Sequence, residues 1–390
     1  MSHASRFTAY DWRKGMQFRR ITQLLPSNSL FLFPQKKHLF PKKMSIFASL
    51  PNSKMMKKLL ILIAALLVLQ SCRKTANFDV ELGGIDADVK VVRFDVDFDT
   101  ISPQSIYSAM PVLTQKYGDF VNLYTRGILG MPEPETADFM TQYSDFVSYC
   151  RLNNVFRDVE KAFPQDADIA ALYKEGACHY KYYFPKDTLP EVYTVVSGFQ
   201  ESVFPSDGMM IFSLEKYLGA NYTAYGQLGI ENYKRRRMEK AMMPVDYFRT
   251  LAMLNYPKPD ASAENLLNEM LYQGRIQYFL KSMMPSAPDS LLWGYSDYQY
   301  RWAAEYEENV WNYLIDKKIL FEINPLLIRN FTGEGPFTNA FGNQSAPGVA
   351  SFCGFGIVCS FMANNPTVTL PQLMQIEDLQ TIYNRARYNP

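Results

Sequence analysis

The sequence predicts an α+β domain, predominantly helical, with a small and mostly antiparallel sheet. Three observations carry this. Val92, Phe94, Val96 and Phe98 alternate with Arg93, Asp95, Asp97 and Asp99, the period of a half-buried strand. Two β-rich runs, EVYTVVSGF from Glu191 and GMMIFSL from Gly208, flank the turn-prone FPSDG and suggest neighbouring antiparallel strands. Most of the remaining chain beyond residue 103 has helical spacing.

Residues 1–55 come first, with ten Lys or Arg, one acid and no sustained periodicity. Nothing in them predicts a packed domain, and they read as a spurious extension upstream of a true start at Met55 or Met56. Residues 56–71 read as a signal peptide. The apolar run Leu59–Leu69 is eleven residues, about 16 Å as a helix, whereas a bilayer needs roughly 20 residues. Lys57 and Lys58 precede it and Leu69-Gln70-Ser71-Cys72 follows, the order of a bacterial lipoprotein signal. Cleavage is expected between Ser71 and Cys72, with the Cys72 thiol lipidated; Gln70 departs from the usual small or aliphatic residue. Residues 73–89 form a short linker, and 90–390 a single globular domain.

Residues 103–184 read as several short helices interrupted by Pro132, Pro134 and Pro164. After the two β-rich runs a helix is predicted from near Pro244 to about Asn255, stopped by YPKP. A second, capped by Ser262, gathers Leu266, Leu267, Met270, Leu271, Gly274 and Tyr278 on one face. A third starts at a Ser296/Gln299 capping box and carries Tyr298, Trp302, Tyr306, Val310 and Tyr313 as its buried stripe. A fourth covers 349–364, and a last short one begins near Leu370.

Residues 1–72 hold 12 of the 40 basic residues and one of the 39 acids, so the mature chain carries 28 minus 38, about −10. That balance argues against nucleic acid as a partner. The basic knot YKRRRMEK around Arg235–Arg237 reads as a solvated helix end.

Histidine limits the chemistry further. Of His3, His38 and His179, only the last follows Cys72, which excludes H-E-x-x-H and three-histidine zinc sites. His179 is expected to be structural, since its neighbour Cys178 points about 100° away on a helix. The D-x-D-x-D of Asp95–Asp99 fails as a calcium loop, with Thr100 for the glycine and Ile106 for the glutamate. CGFGIVC from Cys353 has Cys359 where a dinucleotide motif needs glycine, and Gly354 and Gly356 are read instead as allowing close helix packing. Cys353 and Cys359 lie too far apart on a helix for a disulfide, so buried free thiols are expected there and at Cys150 and Cys178. Acid pairs such as Glu215 and Asp246 carry little weight without geometry. No catalytic, cofactor-binding or metal-binding residue is assigned.

Several segments in order resemble the gliding-motility lipoprotein GldB family of Bacteroidetes: the signal to Cys72, VVRFDVDF, YYFP followed by VYTVVSGF, IFSLEKYLG, NLLNEMLYQGRIQYFLKSMMP, WAAEYEENVWNYLIDKKILF and SAPGVASFCGFGIVCSFMANN. That family is distantly similar to gluzincin-like metallopeptidases, which implies a zincin-like scaffold. Here the helix that would carry H-E-x-x-H reads MMPVDYFRTLAML, and the later one has Gln273-Gly274 with Gln277 where a metal-binding carboxylate would stand. Both departures remove zinc ligands and argue against peptidase activity.

The resemblance implies a lipid-anchored, periplasm-facing envelope protein connected with gliding motility, with outer membrane favoured over inner. Its partners would be the membrane, through the N-terminal lipid, and other envelope proteins, in a non-catalytic binding or assembly role. A zinc-independent hydrolase using the same cleft and a glycan-binding lipoprotein stand as alternatives, the second suggested by Trp293, Trp302 and Trp311.

Overall fold

The computed structural model describes residues 78–390 except positions 135, 261 and 262; the expectations for residues 1–77, Ser71 and Cys72 among them, and for the Ser262 cap lie outside the described residues. From Phe78 the chain lies against the body. Phe78 packs its ring against Tyr278, tilted by 50° with centroids 4.8 Å apart, Lys174 pairs with Asp86 and Asp88, and Val89 is buried.

The first expected strand is shorter than its alternation suggests. Strand β1 is Val91–Arg93, and helix α1 takes over at Phe94–Asp99. Phe94 and Phe98 are four residues apart, so a helix buries both on one face and stacks them at 5.5 Å. Val96, which a strand would place beside them, is 45% exposed. The spacing of the two phenylalanines fits both periods, and the helix wins by seating them against Tyr124.

Strands β2 (Glu191–Val195), β3 (Val203–Ser206) and β4 (Met209–Ser213) complete a sheet of order β1-β2-β4-β3. β1 pairs with β2 and β2 with β4 in parallel, while β3 and β4 are antiparallel. The sheet is therefore mixed, and the two β-rich runs are parallel neighbours rather than an antiparallel pair. FPSDG is not the link between them: Phe204-Pro205-Ser206 belong to β3, and Asp207-Gly208 turn the β3–β4 hairpin. Pro205 is tolerated because β3 is an edge strand, where its missing N–H faces no partner.

Between β1 and β2 run α2 (Ile106–Tyr117), α3 (Ala137–Leu152), α4 (Val155–Ala162) and α5 (Asp166–Tyr183), with the expected breaks around the three prolines. This long crossover is what permits parallel pairing. After the sheet come α6 (Met242–Asn255) and α7 (Leu266–Met283), the latter capped by Asn265, whose side chain accepts from Asn268 N.

α7 is buried on nearly every side. It crosses α11 (Val349–Asn364) at two glycines, Gly274 and Gly354: a Cβ on either would overlap the other helix's backbone. Close packing, the reading given to Gly354 from sequence, therefore extends to Gly274.

The third expected helix is two, α8 (Asp297–Glu305) and α9 (Glu307–Asp316), broken at Tyr306. Its capping box is present, with Gln299 N donating to Ser296 Oγ at 3.2 Å and Ser296 N to Gln299 Oε1 at 3.1 Å. The buried stripe, however, is Ala303, Val310, Trp311 and Leu314, with Tyr298 and Tyr306 exposed. The break rotates the apolar face, so of the stripe drawn through it Val310 is buried, Trp302 and Tyr313 are half-buried, and Tyr298 and Tyr306 miss the core. The chain ends with α10 (Pro325–Thr332), which precedes α11, and then α12 (Leu370–Met374) and α13 (Gln380–Ala386).

Candidate functional site

Where β4 ends, a 3-10 turn, Leu214–Lys216, carries Glu215 beneath the loop that leaves β2. That loop passes through two successive left-handed residues, Gly198 at φ +75° and Phe199 at φ +66°. A phenylalanine there is strained, and its neighbours must hold it. Glu215 does so: its Oε1 accepts Ser197 N at 2.7 Å, Ser197 Oγ at 2.8 Å and Phe199 N at 2.9 Å. Glu215 is wholly buried, and its Oε2 has no partner. Burial pushes its carboxyl above the ordinary range, against the pull of the donors from Phe199 and Ser197.

A second polar group forms where α6 meets α7. Asp246 accepts from Tyr217 Oη at 2.9 Å and from Arg237 Nη2 at 3.3 Å, and Arg237 Nη1 reaches Glu334 Oε1 at 3.1 Å. One turn on, Arg249 Nη2 donates to Gln277 Oε1 of α7 at 3.2 Å and to Leu292 O at 2.9 Å, while its Nε has no partner. Burial, reinforced by the neighbouring Arg237, pulls the Arg249 guanidinium down to about 10. A cation and an amide thus face each other across the helix pair that the resemblance singled out. Neither Arg249 nor Gln277 is a zinc donor of the usual kind, and Asp246 is already held by two partners. Among the described residues no three His, Cys, Asp or Glu side chains gather as a metal site.

The basic knot takes a different role from the solvated helix end read from sequence. Arg235 Nε donates to Ile230 O at 2.5 Å, Arg236 bonds Gln299, and Arg237 bridges Asp246 and Glu334. Arg236 and Arg237 tie the long loop after β4 to the helical body; of the five basic residues in the knot, Lys234 and Lys240 stay exposed.

His179 is buried on α5, one ring nitrogen 2.9 Å from Glu175 O one turn back. Glu215 and Asp246 sit in separate networks. Cys150, Cys178 and Cys353 are buried free thiols and Cys359 is half-buried. The three aspartates of D-x-D-x-D diverge: Asp95 pairs with Arg93, and Asp97 with Lys116 and Tyr117. A cleft of about 580 Å³ opens beside Tyr217 and Tyr222, floored by Glu239 and Lys240. Among the described residues no helix is long and apolar enough to cross a membrane.

A family model described as gliding motility protein GldB matches residues 75–390. No curated protein and no solved structure matches the chain.

Proposed function

The chain belongs to the gliding motility protein GldB family, and from that premise we propose that it is a lipid-anchored, periplasm-facing envelope protein of the gliding machinery that binds or assembles other envelope components without catalysis. The lipid is carried on Cys72 after cleavage behind Ser71, with residues 56–71 as the signal and 1–55 upstream of the true start. RKTANFDVEL after Cys72 lacks a tight acidic run, which favours a periplasmic face over surface display; of the two membranes, the outer is the one proposed.

The observation that carries the non-catalytic reading is the donor set at the α6–α7 crossing. On a zincin-like scaffold the metal would lie between these helices; Arg249 and Gln277 fill that place with a fixed positive charge hydrogen-bonded to an amide. The hydrolase alternative loses its best residue, because the His179 ring is buried and engaged with its own helix. The glycan-binding alternative keeps one supporting observation, the half-buried Trp302 stacked on exposed Tyr306 at 4.9 Å.

Crosslinking in cells followed by mass spectrometry tests the proposal. Reproducible capture of envelope proteins is the expected result, and repeated absence of any such partner would sink it.

A further inference from the structure

From the loop after α9 into the first turn of α10 the chain projects three large apolar side chains within six residues: Phe321 at 57%, Ile323 at 70% and Leu326 at 72% exposure. The projection is built rather than loose. Leu266 N donates to Glu322 O at 3.0 Å and Leu267 N to Leu320 O at 2.8 Å, which fastens the base of the loop to the start of α7. Leu320 is buried as a plug, and Asn324 Oδ1 caps α10 by accepting from Leu326 N at 2.9 Å. Fixed apolar residues clustered and held out in water are unfavourable unless something covers them.

Charge and chain length both point to lipid as the cover. Lys317, Lys318 and Arg329 are exposed around the tip, against Asp316 and Glu322, so residues 316–329 carry three basic and two acidic groups on a body of about −10. A basic rim around apolar residues suits an anionic headgroup layer. Phe78 packs against Tyr278, which lies 278 minus 266, or 12 residues, along α7 from the point where the tip is fastened. That is about 18 Å at 1.5 Å per residue. Cys72 stands six residues before Phe78, a reach of up to ~20 Å. A lipid on Cys72 and the tip can therefore enter one bilayer surface.

We propose that the Phe321–Leu326 tip inserts into the headgroup region of the membrane, with Lys317, Lys318 and Arg329 on anionic phospholipid, and fixes the orientation of the domain. The inference rests on the lipid-anchor reading only for bringing the tip to that membrane.

The test uses the full chain purified from membranes, with Ile323→Cys carrying an environment-sensitive fluorophore and Leu152→Cys, 82% exposed on α3, as the reference. The unsubstituted chain serves as the labelling blank. In vesicles of phosphatidylethanolamine and phosphatidylglycerol, nitroxide lipids should quench the label at position 323 at least about twofold and leave the reference unchanged. Equal behaviour of the two labels overturns the proposal. A blue-shifted but unquenched label at 323 also overturns it, in favour of contact with a second copy. The intact mass of the same preparation reads the acyl chains separately. Failure of the anchor reading thus appears as missing mass, and failure of the tip as an unquenched label.

Discussion

Replacing Glu215 with alanine removes the acceptor that holds the strained turn after β2. Two backbone donors, the buried Ser197 N and the half-buried Phe199 N, lose their partner. At about 1–3 kcal/mol for each orphaned donor, partly offset by no longer burying a carboxyl, the loss comes to about 3 kcal/mol. That is a large share of a domain stability of about 5–15 kcal/mol. Glu215→Gln keeps Oε1 as an acceptor and is expected to cost under ~1 kcal/mol.

The pH dependence separates the two further. The folded-state pKa of Glu215 lies above its ordinary 4.5, so the native state keeps a proton that the unfolded chain gives up. This contribution is fully present below 4.5 and is lost as pH rises through the raised folded value. Urea unfolding followed by far-UV circular dichroism at about pH 5 and about pH 8 reads both effects. The wild type should lose more stability toward the higher pH than Glu215→Gln does. An alanine variant within ~1 kcal/mol of wild type, or a glutamine variant as damaged as alanine, would refute the reasoning.

Other substitutions probe the remaining contacts. Arg249→Met removes donors to Gln277 and Leu292 O and should cost about 2 kcal/mol, with Arg249→Lys recovering little because a single ammonium lacks the planar fork; urea midpoints decide. Phe98→Ala should cost about 3–5 kcal/mol in strand or helix alike, whereas Val96→Asp should stay within ~0.5 kcal/mol, which a continuous strand burying Val96 would not allow. Gly354→Ala drives a methyl into the backbone of α7 and should lower the thermal midpoint sharply or abolish folding, at a cost of ~3 kcal/mol or more.

Local signals were readable along the chain. The Ser296/Gln299 box, the start of α6 near Pro244 and the extent of α11 depend on near neighbours, so pattern and capping chemistry found them. Errors arose where two periods or two partners compete. Phe94 and Phe98 fit both strand and helix, and only the pocket formed by Tyr124 decides between them. β3 escaped notice because four residues containing Pro205 resemble a turn until β4 lies beside them. Arg235–Arg237 looked solvated because their acceptors, Ile230 O, Gln299 and Asp246, are set by the path of the loop.

The candidate site was the least legible part. Glu215 is one acid among 39, and its role depends on a left-handed Phe199 that no local pattern announces. Arg249 and Gln277 could be flagged only as departures from a ligand motif; that they bond to each other follows from how α6 and α7 cross.

The intact mass of the native protein extracted from its membrane decides whether this chain is a lipid-anchored protein. The protein should begin at Cys72, with the mass of an acylated diacylglyceryl cysteine added and residues 1–71 gone. A native protein that retains Met1 or carries an unmodified Cys72 would contradict the lipid anchor.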